Sequence, residues 1–245
     1  MSGNRSTPRH RDAAREETGP RSEERRAPRA APEPQPAPPL GDLEEAAQQI
    51  FGERLDVARR YTEHLASSGI VRGLIGPREA PRLWERHVLN CAVVEALIPP
   101  QARVVDVGSG AGLPGLCLAI ARPDLTITLV EPLERRVTWL EEVIADLSLD
   151  GVRVVRARAE QAKKDVGPVD VVTARAVSAL VGLMDITLPL LKGSGELLAL
   201  KGRSAEEELE KASKKFSRFG VRSAEVLTVG GELLSEPTTV ARLVL

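Results

Sequence analysis

Cysteine is scarce in this sequence, and its placement excludes a disulfide framework or a zinc site. Only Cys91 and Cys117 occur in 245 residues, far apart and each inside an apolar segment. Zinc sites and disulfide-stabilised folds need several cysteine or histidine residues at characteristic short spacings. The two cysteines are therefore interpreted as buried free thiols of a reduced, cytoplasmic protein.

Several other features are missing. No run of 18 apolar residues is present, and the N-terminus has no hydrophobic signal region, which predicts a soluble protein that is not secreted. The net charge is only −1, so binding to nucleic acid would depend on a local patch. Serine–histidine pairs, P-loops and His/Cys metal spacings are absent, which removes the usual support for hydrolases, NTPases and metal centres.

Residues 1–41 differ in composition from the rest of the chain. They contain eight of the 18 prolines, eight arginines and six acidic residues, but no Phe, Tyr, Trp, Ile or Val. A segment this poor in apolar side chains cannot offset the conformational entropy that folding removes. We predict a disordered, solvated tail, with weak contact between its arginines and nucleic acid as the alternative.

Residues 42–100 carry helical periodicity and are predicted to form a small helical region. An apolar stripe at helical spacing follows Asp42, and a second helix is expected from about Pro81 to Ile98. Pro99 and Pro100 end that helix.

Residues 101–245 alternate between strand-like and helical segments. Strands are predicted at 103–107, 125–130, 152–155, 169–173, 196–201, 221–229 and 239–245. Helices are predicted at 113–122, 134–147, 159–164, 178–191 and 205–219. This alternation indicates an α/β fold with a mostly parallel, Rossmann-like sheet. Because no helix separates the last two strands, they should form an antiparallel hairpin, as in methyltransferases more than in dinucleotide dehydrogenases.

The first predicted strand leads into a glycine-rich loop, where backbone N–H groups can face a ligand. One match, Gly110-x-Gly112-x-x-Gly115, has the dinucleotide-binding spacing and is weak alone. The better-aligned pattern begins with the acid that ends the strand, in the form Asp106-x-Gly108-x-Gly110-x-Gly112. It resembles motif I of class I methyltransferases that use S-adenosylmethionine.

In this interpretation the glycines let the backbone approach the amino-acid part of the cofactor without an intervening Cβ. Asp106 could orient the loop or meet the cofactor's ammonium group through water. The alternative is a sharp strand–helix turn with no ligand.

The ends of the next three strands supply further cofactor candidates. Glu131 follows the second strand, where a carboxylate can accept both ribose hydroxyls of an adenosine, in NAD enzymes as well; its alternative is a helix-initiating carboxylate. Ala159–Glu160 follows the third strand at the adenine-edge position, although Glu160 could equally be a helix N-terminal charge. Arg175 follows the fourth strand and should face the crevice at the switch point, unless it is a surface arginine.

Basic side chains near the predicted crevice mouth are candidates for contact with RNA phosphates. A lone helical histidine is more often packed than functional, so the histidine in this group has that alternative. The candidates are Arg86, His87, Arg135, Arg136, Lys201 and Arg203.

Taken together, these motifs resemble the bacterial small-subunit rRNA guanine-N7 methyltransferases, long called glucose-inhibited division protein B. Residues 105–115 are close to that family's signature, and their Gly-Leu-Pro-Gly ending is specific. Residues 86–90 resemble its Arg-His-Ile/Leu-x-Asp motif. Further matches follow in order at Arg122–Pro123, 135–140, Arg175–Ala176 and 200–202.

The resemblance covers about residues 82–203 and continues weakly to the end. The chain departs from the family pattern in its tail, and the Trp-Asn…Asn-Leu-Thr stretch is not recognisable. Asn90 stands where an acid is common, and Cys91 where a serine is usual. These departures concern the substrate side more than the cofactor site.

The resemblance implies that the cofactor is S-adenosyl-L-methionine, held by Gly108, Leu113, Ala159–Glu160 and Arg175. It also implies that the substrate is a guanine in the decoding region of 16S rRNA, either in free RNA or within the small subunit. Guanine N7 has a lone pair and no proton, so we expect direct displacement without a general base or metal, accelerated by alignment in a dry site. A monomer is expected. An NAD-dependent oxidoreductase and a non-catalytic ribosome-assembly factor remain as alternatives.

Overall fold

The computed structural model describes residues 32–245, together with Met1 and Gly3. The predicted tail lies largely outside these described residues, but its last part does not. Residues 32–40 have no regular secondary structure, yet the indole Nε1 of Trp84 donates to the carbonyl of Pro38 at 3.0 Å and Leu40 is buried. The structure therefore differs from the predicted boundary at residue 41, because the helical region supplies the apolar surface that the proline-rich run lacks.

Residues 41–97 are largely helical, in two stretches joined by a loop. The first stretch contains α1 (Glu44–Phe51) and α2 (Leu55–His64), with 3-10 turns at Gly41–Leu43 and Gly52–Arg54 and a π-helical turn at Leu65–Gly69. The second runs through a 3-10 segment (Pro77–Arg82), a π-helical segment (Leu83–Leu89), α3 (Asn90–Ala92) and a 3-10 segment (Val93–Leu97). The second stretch begins earlier than predicted, at Pro77.

The remaining residues build a sheet of seven strands. These are β1 (Arg103–Val107), β2 (Thr126–Val130), β3 (Val152–Val155), β4 (Val171–Arg175), β5 (Glu196–Lys201), β6 (Ser223–Val229) and β7 (Thr238–Val244). Their spatial order is β3-β2-β1-β4-β5-β7-β6. Strands β1 to β5 pair in parallel, whereas β7 is antiparallel to both β5 and β6. The predicted class I methyltransferase architecture, including its terminal hairpin, is confirmed.

Helices connect the parallel strands. They are α4 (Gly115–Ala121), α5 (Glu134–Asp146), α6 (Ala159–Ala162), α7 (Leu180–Thr187, followed by a 3-10 turn at Leu188–Leu191), α8 (Ala205–Ser213) and α9 (Phe216–Phe219). The chain passes from β1 to β2 on one side and returns to β4 on the other. The crevice at the carboxyl ends of β1 and β4 is therefore the switch point at which ligands bind in such sheets.

Alternating side chains of the strands face two apolar layers. Val104 belongs to the layer that contains the N-terminal helices, α4 and α5, whereas Val105 and Val107 face the layer formed by α6, α7 and α8. The helical region thus shares its core with the sheet. Trp139 of α5 is completely buried in that shared core, and its Nε1 donates to Ser68 Oγ at 2.9 Å. No helix in the described part of the chain is long and apolar enough to cross a membrane.

The substitution Trp139→Ala should lower the free energy of unfolding by about 3–5 kcal/mol, because it leaves a large cavity between α5 and the helical region. Urea unfolding followed by circular dichroism measures this. The matched control is Leu133→Ala just before the same helix, where the side chain is 45% exposed and the change should stay within about 0.5 kcal/mol. Equal losses in the two variants would contradict the shared core.

Candidate active site

The glycine loop after β1 has a backbone that only glycine adopts without strain. Gly108 and Gly110 have φ values of 72° and 56°, and a Cβ on Gly108 would lie 2.9 Å from Val177 Cγ2. The Gly108 N–H donates to the carbonyl of Val130 at 2.9 Å, which fixes the loop to the end of β2. The main chain of the loop can therefore approach a ligand closely.

Asp106 lies beneath this loop and is completely buried. One carboxylate oxygen accepts the N–H of Gly115 and the other accepts the hydroxyl of Thr173, both at 3.2 Å. Burial raises the pKa of Asp106 to about 6. The carboxylate joins β1, β4 and the start of α4, so of its two predicted roles the structure favours orientation of the loop over contact with a cofactor.

Glu131 at the end of β2 holds the same loop from the other side. One oxygen accepts the N–H of Gly110 and the other the N–H of Leu133, each at 3.0 Å. Arg136 Nη1 lies 3.5 Å from the first oxygen. The carboxylate is therefore buried against the loop, at the strand end where the sequence predicts a ribose-binding acid.

A cavity of about 240 Å³ opens above the loop. Several predicted residues line it, namely Gly108, Gly110, Leu113, His87, Arg136 and Arg175. Ser109, Ala111, Ala176, Leu74 and Ile75 complete the lining. Leu74 and Ile75 come from the loop between the two helical stretches, where the sequence has no motif that could have identified them.

The other predicted residues do not line this first cavity. Asp106 lies beneath the loop, and a Cβ on Gly112 would meet Leu116. Ala159 is buried in α6 and Glu160 is exposed, so a contact to adenine by this pair stays a prediction. Arg135 and Arg203 are exposed on the surface.

Arg175 is the last residue of β4, two residues beyond the predicted end of that strand. Its Nη1 lies 3.1 Å from Cys91 Sγ, and its Nη2 lies 3.0 Å from the carbonyl of Arg86 and 2.9 Å from His87 Nδ1. Arg175 is thus held by the second helical stretch and is not a free surface arginine.

His87 is fixed in one tautomer by these contacts. A guanidinium has donors only, so Nδ1 must accept from Arg175, and Nε2–H then donates to Glu79 Oε2 at 2.9 Å. Burial and the charge of Arg175 lower the pKa of His87. His87 is therefore a neutral, packed side chain in the cavity wall, in agreement with the alternative that the sequence left open.

Two further contacts join residues that are far apart in the sequence, and no motif in the sequence predicts them. The thiols of Cys91 and Cys117 are buried close to each other, and burial raises the pKa of Cys117 well above its usual range. Both cysteines are free, as expected. The buried Tyr61 hydroxyl donates to the carbonyl of Ala111 at 2.6 Å, which attaches the glycine loop to α2.

A second cavity, of about 620 Å³, adjoins the first and shares Arg175 and Ala176 with it. Arg86 and Lys201 line it. Lys201 Nζ lies 2.7 Å from the carbonyl of Ser178 and 2.9 Å from Glu208 Oε2. The ammonium group of Lys201 is therefore already bound by two protein groups. The structure does not favour its predicted role of binding RNA phosphates.

The family model described as rRNA small subunit methyltransferase G matches residues 54–235. The chain is 67% identical over 199 residues to "Ribosomal RNA small subunit methyltransferase G" of Pseudarthrobacter chlorophenolicus, covering 81% of this chain and 92% of the relative. It is 65% identical over 202 residues to the protein of that name from Paenarthrobacter aurescens, covering 82% and 92%. Among solved structures, precorrin-6y C5,15-methyltransferase of Geobacter metallireducens aligns with a TM-score of 0.48 and 16% identity over 69% of this chain and 89% of that one.

The buried carboxylate of Asp106 should make stability depend on pH in a specific way. Its pKa is about 6 in the folded protein and about 3.9 in an unfolded chain. The folded state therefore binds the proton more tightly, and stability is lost as the pH rises from about 4 to about 6. Relative to Asp106→Asn, the wild type should lose up to about 3 kcal/mol over this range.

Urea unfolding of both proteins between about pH 4 and pH 7 measures this difference. All other carboxylates are present in both proteins, so the difference between the curves isolates Asp106. Parallel curves would mean that the buried carboxyl keeps its ordinary pKa.

Proposed function

This chain belongs to the rRNA small subunit methyltransferase G family, and we propose that it transfers a methyl group from S-adenosyl-L-methionine to N7 of a guanine in the decoding region of 16S rRNA. The observation that carries this proposal is the first cavity, whose lining residues all fall within the span that the family model matches. Family membership argues against the NAD-dependent and non-catalytic alternatives.

The residues around the first cavity fit the cofactor. Gly108 and Gly110 present bare main chain to the cavity, where a side chain on Gly108 would collide with Val177. Each oxygen of Glu131 accepts one backbone N–H, and because Arg136 contacts only Oε2, Oε1 retains a lone pair for a ribose hydroxyl. When bound there, S-adenosylmethionine supplies an electrophilic methyl group. We assign Ala159 and Glu160, beyond β3, to the adenine end.

The lining of the first cavity accords with a reaction that needs no general base. Its titratable side chains, within the described part of the chain, are His87, Arg136 and Arg175. His87 has both nitrogens engaged, and the arginines stay protonated. Guanine N7 has no proton to lose. The chain therefore contributes by holding the reactants in line and excluding water.

Contacts to the RNA backbone are assigned to exposed cations around the cavities. Arg86, Arg135 and Arg203 lie on the surface, with Arg86 half exposed. Guanidinium groups suit phosphate oxygens and position the RNA without reading its sequence. We further propose that the protein acts as a monomer without a metal ion, in the cytoplasm where ribosomal subunits are found.

Incubation with methyl-labelled S-adenosylmethionine and small subunits that lack the modification should place the label on guanine N7. Nuclease digestion followed by chromatography against 7-methylguanosine measures the product. The single-turnover rate should be constant between about pH 7 and pH 9, because no protein group takes up a proton. Label elsewhere than guanine, or a sloping pH profile that one substitution removes, would overturn the assignment.

The substitution Gly110→Ala should weaken S-adenosylmethionine binding about tenfold. An L-residue at this positive φ costs about 1–2 kcal/mol, which the loop avoids by shifting away from Glu131. Isothermal titration calorimetry measures the dissociation constant. Gly182→Ala, at a helical position in α7 whose Cβ would meet Ser178 Oγ at an ordinary 3.7 Å, should leave that constant unchanged. Tight binding by Gly110→Ala would refute the role of the loop.

A further inference from the structure

We propose that the second cavity receives the target guanine and that Glu236 determines its identity, by accepting hydrogen bonds from the N1–H and the exocyclic amino group of the base. This inference rests on the proposed function. It adds a residue beyond the span that the family model matches, which ends at 235.

The position of the cavity suits an acceptor base. It shares Arg175 and Ala176 with the first cavity and extends across the carboxyl end of β5, at Leu200–Gly202, to Glu236. Glu236 lies just before β7, which pairs with β5. Neighbouring strands are about 4.8 Å apart, so the path from β4 across β5 to β7 measures roughly 10 Å. That is the scale of a purine with a hydrogen-bonding partner at its far edge.

One wall of this cavity is suited to the flat face of a base. Val177 lines the cavity and is 38% exposed, and its Cγ2 lies against Gly108 of the glycine loop. Leu200 contributes a second apolar surface, largely buried. A guanine whose N7 edge faces the first cavity would cover the exposed side chain of Val177 at the junction of the two cavities.

Most charged groups of the second cavity are already paired. Lys201 and Glu208 bind each other, Glu208 also accepts the N–H of Leu180 at 2.7 Å, and Arg175 has its three partners. Glu236 is exposed at the rim of the cavity, and within residues 32–245 no side-chain hydrogen bond or ion pair engages its carboxylate.

The backbone around Glu236 is fixed although its carboxylate is free. Ser235 Oγ donates to Glu85, and Thr238 Oγ1 donates to the carbonyl of Asn90 at 2.6 Å. Pro237 restricts the backbone of the residue before it. The loop that carries Glu236 is thus attached to the second helical stretch on both sides of this residue, which keeps its backbone at the rim of the cavity.

The chemistry of the carboxylate selects guanine. The N1–H and exocyclic N–H of guanine are adjacent donors, which match the two oxygens of a carboxylate. Adenine has an acceptor at N1 and no amino group at C2, so it would face the carboxylate unfavourably. Methylation at N7 also places positive charge on the base, which a nearby carboxylate stabilises.

Glu236→Gln should lower kcat/KM for methylation of small subunits about 10- to 100-fold, the loss typical of a hydrogen bond to a charged group. S-adenosylmethionine affinity by calorimetry and the thermal midpoint should stay unchanged. The control is Glu232→Gln, a glutamate of the same hairpin loop that is likewise exposed but does not line the second cavity, and this variant should retain the wild-type rate. Equal kcat/KM in the two variants would refute the role of Glu236.

A second experiment separates a loss of guanine recognition from a general loss of enzyme activity. Small subunits reconstituted with inosine at the target position keep N7 but lack the exocyclic amino group. The wild type should methylate them about tenfold more slowly than guanine, whereas Glu236→Ala should treat both alike, as a double-mutant cycle requires of groups in contact. An unchanged guanine-to-inosine ratio in Glu236→Ala would overturn the inference. If the wild type methylated neither substrate, the proposed function itself would fail.

Discussion

The buried carboxylate of Asp106 is the constraint on which the active site depends. It lies in β1, accepts the Gly115 N–H at the start of α4 and accepts the Thr173 hydroxyl on β4. The two ends of the glycine loop and the neighbouring strand are thereby fixed in one geometry. A Cβ on Gly115 would lie 2.8 Å from the carboxylate, so this position must also be glycine. With the loop fixed from below, its upper face is free to bind the cofactor.

Arg175 connects the first cavity to the second. It leaves the end of β4 between the two cavities and is bound by a sulfur, a carbonyl and an imidazole of the second helical stretch. Tyr61 attaches the same loop to α2. The N-terminal helices therefore complete the walls of both cavities and share a core with the sheet.

The sequence predicted the parts of this structure that depend on local pattern. The strand before Asp106, the glycine loop, the acid at the end of β2 and the terminal hairpin all follow from short-range periodicity and turn chemistry. Strand β4 was displaced by two residues, because the apolar run begins at Val169 whereas pairing with β1 begins at Val171. Asp170 instead binds the side chain of Arg103.

Contacts between distant segments carried no such signal. Packing of elements far apart in the sequence produces three such contacts. It brings Cys91 close to Cys117, Leu74 and Ile75 close to the glycine loop, and Glu208 onto Lys201.

The most direct test of the account is calorimetric titration of the purified protein with S-adenosylmethionine and, separately, with NAD. The account predicts saturable one-site binding of S-adenosylmethionine and no binding of NAD. Binding of NAD without S-adenosylmethionine would contradict it.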